Sequence, residues 1–434
     1  MNKYFILIFV FLLTNCSTDT KTGIWSNIKK KETHNTNEKI LSENKPDSKS
    51  NEINTNIKIK LKQNYDQIGF VKNNSNNYTL FNFDGDFKKS KKYKFSKIIN
   101  QNFLNSQLLF TEKNEIIYFD GNGSIYKLTS ELELIWKINH YSKNEKKLNP
   151  VLNFAYVNNQ LIVTDSLSNY YLVNLNNGNL IWKKKNTSSF NSHIKILKDK
   201  FYVIDLNNIL KCYSLENGSQ IWEYKSENTF IKSKSKMSLV VNSKQVTFIN
   251  TLGDLSSLNI NTGELIWQIP TMNNSVIEDS FSNVFSDLVE SNNIIYFSNN
   301  NNQLFSIDNT NGKVNWIQNI NAILAPSIID KLIFIVTNDG YLILLDKDQG
   351  SIIRSSNLKK YIKNFEKKKI FINGYLIVKN NIFISLNNGK LLKINLIDAK
   401  IDNLIKITKN QISRPYVNNK KMFFITENSL YKYN

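Results

Sequence analysis

The chain has 434 residues and a formal net charge of +20, with 41% hydrophobic and 12% aromatic residues. Two cysteines exclude a disulfide scaffold. The lysines form no basic stripe beside a nucleic-acid motif, so the charge reads as solvated strand faces and no nucleic-acid partner is expected. With 20 Tyr, 26 Phe and only five Pro, the composition suits β-structure, where aromatic side chains pack well on pleated surfaces.

The N-terminus begins with the basic Met1-Asn2-Lys3, then "YFILIFVFLLT". That apolar run is shorter than the roughly 20 residues needed to span a bilayer and fits a secretory signal over residues 1–15. It ends in "LLTNC", where Leu13, Thr14 and Asn15 before Cys16 resemble the lipobox of bacterial lipoproteins. The resemblance implies acylation of Cys16, palmitate included. Asn15 departs from the usual Gly or Ala, and the bland alternative is a cysteine that happens to follow a signal. Ser17 rather than Asp after the cysteine favours, by the same resemblance, the outer membrane and its periplasmic face.

Residues 16–60 are dominated by Asn, Lys, Glu, Ser and Thr. So little apolar surface cannot offset ordering entropy, and the stretch reads as a lipidated, disordered tether. About forty flexible residues reach roughly 35 Å. Trp25 is an isolated apolar point on it.

From residue 61 to 434 the pattern is a propeller domain. Short apolar runs alternate with Asn/Asp/Gly turns. Residues 160–185 read as strand, turn, strand, "NNGN", strand; 200–225, 245–269 and 294–318 repeat this, each preceded by one more strand. Trp136, Trp182, Trp222, Trp267 and Trp316 are separated by 46, 40, 45 and 49 residues. A period of about 40–50 with four strands per unit means an all-β fold, a β-propeller with four-stranded antiparallel blades. The register continues through Gly350 to Arg354 and Ala399 to Asn403, where Trp is lost. Three strands then remain at the C-terminus. Pairing of N- and C-terminal strands would complete them and abolish exposed edges. This predicts eight blades. The N-terminal region offers one strand too many, which leaves seven as the alternative.

Gly178, Gly218, Gly263 and Gly312 each precede a Trp by four residues, as in "NTGELIW" (261–267). The Gly supplies the positive φ of the last turn. The Trp lies in the outer strand, where it is placed to cover the neighbouring blade. A buried indole removes on the order of 200 Å² from water, up to roughly 5 kcal/mol before entropy. The motif is therefore a fastener between blades.

Unit after unit resembles the pyrroloquinoline-quinone-type propeller repeat, well over about 115–355. Lipoprotein signal, polar tether and propeller together resemble the BamB-type outer-membrane assembly lipoproteins. The resemblance implies a non-catalytic scaffold that binds the periplasmic POTRA domains of a BamA-type barrel insertase, other Bam lipoproteins and nascent outer-membrane proteins. It implies no cofactor. The same repeat occurs in quinone-dependent dehydrogenases, but this chain has no vicinal Cys pair, and no quinone or Ca²⁺ ligands can be placed. A propeller that binds glycan or cell-wall fragments is the other alternative.

No catalytic or metal constellation emerges. His34, His140 and His193 have no metal spacing, and Cys212 reads as a small strand residue. Asp120, Asn122, Ser124 and Glu131 in "DGNGSIYKLTSE" have calcium-loop offsets, yet Ile125 stands where that loop needs Gly; a hairpin turn is the simpler reading. The charged run "KNFEKKKIF" (363–371) reads as a solvated loop. No partner-binding residue is assigned.

Overall fold

The computed structural model describes residues 81–434 apart from 89, 100–107, 227–235, 273–282, 364 and 367–368, together with 54, 57–59 and 61. The leader 1–15, Cys16, Trp25, His34 and most of the tether lie outside the described residues.

Eight four-stranded antiparallel sheets form a ring of blades. Blade 1 comprises Leu109–Phe110, Ile116–Phe119, Ile125–Leu128 and Leu134–Ile138, from the axis outward. Blades 2 to 7 repeat this plan in chain order, with innermost strands starting at Leu152, Lys195, Leu239, Val289, Ser327 and Ile372. In blade 8, Tyr416–Asn418, Lys421–Thr426 and Ser429–Tyr433 are completed by Ser90–Lys94, which pairs antiparallel with Ser429–Tyr433. The termini therefore close the ring, and the count is eight, not seven. The surplus N-terminal stretch is not a ninth strand of the plan. Phe81 makes a parallel bridge to Val378 at the end of the innermost strand of blade 7.

The second and third strands are buried on both faces, as at Leu161–Asp165 and Tyr170–Val173, while the outer strand is largely exposed, as at Leu180–Lys185. This gradient explains why the inner strands are mostly apolar, with few charged residues such as the buried Lys127 and Lys211, while the outer one mixes Lys and Glu freely with its apolar residues. Between the second and third strands an Asp or Asn recurs. The Oδ1 of Asp165 accepts from Leu167 N at 2.8 Å and Asn169 N at 2.7 Å, and Asn250 and Asn299 do the same in blades 4 and 5. The side chain caps backbone donors that the turn would otherwise leave open.

The fastener is a relay from one blade to the next. Trp136 Nε1 donates to the Leu175 carbonyl at 3.1 Å, Trp182 to Leu215 at 3.1 Å, Trp267 to Asn309 at 2.9 Å and Trp316 to Lys347 at 3.2 Å. Each acceptor lies three residues before the glycine of the next blade. That glycine sits beneath the incoming indole. A Cβ on Gly312 would stand 2.8 Å from Trp267, and one on Gly350 2.5 Å from Trp316. The glycine thus serves both its positive φ of +76° at Gly312 and the ring above it. Gly and Trp of one "NTGELIW" face opposite neighbours. Trp222 packs on Gly263 in the same way, but Tyr202 Oη donates to the Ile260 carbonyl at 3.3 Å, and the buried Trp222 Nε1 has no hydrogen-bond partner among the described residues.

The seams around blades 6 to 8 use other chemistry. Arg354 occupies the Trp slot of blade 6 and is buried. Its Nη2 donates to the Leu396 carbonyl at 2.7 Å, the acceptor an indole would use, and its Nη1 to Ile397 at 3.2 Å. The glycine slot above is Ala399, with φ +56°. A methyl group there leaves no floor for an indole, so the losses of Trp and Gly are one change. Nη1 also donates to the Ile57 carbonyl at 3.0 Å, while Ile59 N donates to the Ile397 carbonyl at 3.2 Å and the Ile59 side chain is buried against blades 6 and 7. Residues 57–59 form a strap on blades 6 and 7. At the seam of blades 7 and 8, Phe83 and Phe87 pack on Phe383, and Phe87 on Tyr433. Between blades 8 and 1 an apolar seam, with Tyr93 on Tyr126, Phe95 on Tyr118 and Phe110 on Phe423, is edged by an ionic cluster. The Lys421 and Lys432 ammonium groups both bond the Glu131 carboxylate, and Lys91 lies 3.7 Å from Glu133. The run 363–371 is not wholly solvated, because Phe365 and Ile370 are buried.

Two outcomes test these seams. Arg354→Trp alone should destabilise by about 1–3 kcal/mol, the usual cost of overpacking, and Arg354→Trp with Ala399→Gly should recover most of it. Both variants should raise amide exchange at 57–59, because neither can hold the Ile57 carbonyl; equal protection in the double variant would refute the clamp. Hydrogen bonds from Lys421 and then Lys432 pull the Glu131 carboxyl down to about 2 from its ordinary 4.5. The group is half exposed, so its contribution is less than about 1 kcal/mol. It is present above about pH 4.5 and lost as pH falls toward about 2. Urea midpoints of Glu131→Gln should lie below wild type at pH 7 and converge with it across that window.

Candidate functional site

The structure distributes the signature residues around the ring. Trp136, Trp182, Trp222, Trp267 and Trp316, with Gly178, Gly218, Gly263 and Gly312, occupy separate seams and do not gather at one place. The calcium-loop candidates are parted too. Asp120 Oδ1 accepts from Asn122 N at 3.0 Å and Ser124 N at 2.9 Å in the turn before the third strand of blade 1, whereas Glu131 lies beyond the other end of that strand in the ionic cluster. Cys212 is fully buried in the third strand of blade 3, and burial pushes its thiol up to about 12. His140 Nε2 lies 3.1 Å from the Gly178 carbonyl. His193 sits just before the innermost strand of blade 3.

A candidate binding surface lies on the face that carries the turns between the first and second strands and between the third and fourth. A half-open groove of about 1060 Å³ runs there across blades 1 to 3. Its floor is apolar, with Ile196, Leu175 and Leu215 buried and Tyr156 and Val157 half-buried. Leu175 and Leu215 are the residues whose carbonyls receive Trp136 and Trp182, so two seams hold the floor in place. The rim is polar, with Glu112, Lys113, Lys198, Asp199 and Glu216 exposed. Glu115 belongs to the body instead, 2.9 Å from Lys127 Nζ. Positive φ at Asn158 (+45°) and Asn159 (+63°) shapes the tight turn of blade 2 at the rim, the geometry that two-residue hairpins favour. Burial, then the Glu112 charge, raise the Tyr156 hydroxyl to about 12, so it stays a neutral phenol. An apolar floor in a charged rim on rigid turns suits the capture of a polypeptide segment.

Sequence reading missed this groove, because its residues come from turns of three blades whose sequences do not repeat. The signal available was the pair of Asn at 158–159 between two strands. It also missed the strap, since Arg354 looked like simple decay of a Trp slot.

The family model of the outer membrane protein assembly factor BamB matches residues 121–356. An uncharacterized protein of Rickettsia prowazekii is 23% identical over 375 residues, 81% of this chain and 86% of that protein. The outer membrane protein assembly factor BamB of Legionella pneumophila is 24% identical over 153 residues, 34% of this chain and 35% of that protein. Among solved structures, BamB from Moraxella catarrhalis superposes with a TM-score of 0.65 at 14% identity, covering 81% of this chain and 100% of that one. The C-terminal WD40 domain of Sif2 superposes with a TM-score of 0.60 at 11% identity, covering 81% and 99%, which shows how widely the ring itself is shared. The family match spans more than half of the chain and centres on the repeats whose seams are described above, so the chain belongs to the BamB family of outer-membrane-protein assembly factors.

Proposed function

We propose that this protein is a non-catalytic scaffold of an outer-membrane β-barrel assembly machine. The observation that carries the reading is the family match over residues 121–356. It acts as a lipoprotein held through Cys16 at the periplasmic face of the outer membrane. It binds the POTRA region of a BamA-type insertase and supports insertion of barrel proteins. The groove across blades 1 to 3 supports this reading, because its floor and rim fit a polypeptide and its walls are fixed turns. The neighbouring quinone-enzyme reading has no ligand set on this chain to support it.

Two measurements test the proposal. The full chain, tagged at its C-terminus and purified from detergent-solubilised membranes, should bring down the BamA-type insertase. Val157→Asp with Asp199→Lys should reduce that recovery at least about tenfold, the scale of losing a central apolar contact. Undiminished recovery would move the interface off the groove, whereas no recovery with the wild type would sink the scaffold reading. Cys16→Ala should shift the protein from membrane to soluble periplasmic fractions; continued sedimentation with membranes would refute the anchor.

A further inference from the structure

The entries to the innermost strands of blades 3, 4 and 5 are stitched together around the axis. Ser192 bridges Met237 in parallel, Met237 N donates to the Asn191 carbonyl at 2.7 Å, and Leu288 N donates to Ser238 Oγ at 2.8 Å. Ionisable groups stand on this arc: His193 and Lys195 from blade 3, Lys236 from blade 4, and Asp287 and Glu290 from blade 5. Arg414 enters from blade 8, the blade opposite blade 4 in an eight-membered ring. Its charge nevertheless acts on both His193 and Lys236. A group of blade 8 reaches groups of blades 3 and 4 only across the axis, so these side chains face one another in the central channel.

Among these described residues, Lys195, Lys236 and Arg414 outnumber Asp287 and Glu290. Glu290 Oε1 already accepts from Asn242 at 3.0 Å and Asn309 at 2.8 Å. Lys236 Nζ and His193 Nδ1 are shielded from solvent and have no hydrogen-bond partner among the described residues. Sheltered polar atoms of this kind mark a place for an ion or water, and an ammonium is the costlier to leave so. Burial, more than any neighbouring charge, holds Lys195 and Lys236 down at about 8, and it holds His193 at about 3. At neutral pH the lysines are therefore mostly charged and the imidazole is neutral. The His193 Nε2 edge is turned to Asp287 Oδ2, 4.0 Å away.

We propose that the central channel binds a phosphate dianion on Lys195, Lys236 and Arg414, with His193 Nδ1 accepting the remaining phosphate O–H. Three cations approaching from separate blades match a tetrahedral anion with several oxygens better than a planar carboxylate. The neutral imidazole discriminates further. Monohydrogen phosphate has a proton to offer it, whereas sulfate has none and would set an oxygen against the ring nitrogen's lone pair. The site is independent of the groove and of the scaffold reading.

Calorimetric titration of the full chain at pH 7 with inorganic phosphate should give saturable binding at one site, weaker by at least about tenfold for sulfate, the scale of one unmet hydrogen bond. Glycerol 3-phosphate, titrated in parallel, separates a free-ion site from one that admits a phosphomonoester. Lys236→Gln and Lys195→Gln should each weaken phosphate binding at least about tenfold, while Lys244→Gln, on the exposed turn of blade 4, should not. Affinity should fall as pH rises through about 8, where Lys195 and Lys236 lose their protons. Absence of saturable phosphate binding by the wild type overturns the proposal, as does equal affinity in both folded glutamine variants.

Discussion

Each blade of this ring ends in an outer strand that cannot bury itself, and in blades 1 to 5 an indole laid across the next blade's glycine resolves that. The contact joins a donor to a carbonyl, an aromatic face to a bare Cα, and one blade to its neighbour in a single step. It fixes blade spacing because acceptor and glycine are always three residues apart on one turn. A ring built this way is only as complete as its weakest junction, since each sheet contacts two neighbours and no central core spans them all. Eight separate apolar clusters along the ring fit that organisation.

The junctions that depart from the rule show what it requires. With Ala399 in the glycine slot, an indole has no floor, and the guanidinium of Arg354 takes the same carbonyl at Leu396. Its second nitrogen then has capacity to spare, which recruits the Ile57 carbonyl. At blade 8 the outer strand is Ser90–Lys94, not a hairpin continuation of Ser429–Tyr433, so no glycine turn joins the two and the regular seam is replaced. Phenylalanines from the incoming N-terminal segment fill one side, and on the other a lysine–glutamate cluster edges an apolar seam. The ionic edge of that closure is pH-dependent, while Tyr93 and Phe95 of the lysine-rich stretch "KSKKYKFS" pack on Tyr126 and Tyr118 of blade 1.

The repeat made the fold legible, because Gly, Trp and alternating strands state the same local physics five times in phase. Blade number was legible only once the N-terminal strand was assigned to the C-terminal blade, which Lys91 and Tyr93 now confirm by pairing with Lys432 and Leu430. The roles of Gly263 and Trp267 within one motif were only half legible. Spacing along the chain made them look like partners, whereas each answers to a different neighbour in space. The groove and the channel cluster were not legible at all. Their residues are non-repeating, and what brings Lys236 near Arg414 is ring closure across 178 residues, which no local pattern encodes.

The ring divides into a regular and an irregular arc, and that division bears on function. Junctions from blade 1 through blade 6 use tryptophan, while those from blade 6 round to blade 1 use arginine, phenylalanine and salt bridges. The groove lies on blades 1 to 3, over carbonyls that Trp136 and Trp182 hold. The strap lies at blades 6 and 7, on the same set of turns but far round the ring. A partner seated in the groove, as proposed, would press on the arc with hydrogen-bonded indole seams. The closure, with its exposed ion pairs, stands next to blade 1 but outside the groove's floor. Under the proposed scaffold role, that placement separates the surface that would have to hold its shape from the junction that joins Ser90–Lys94 to Ser429–Tyr433.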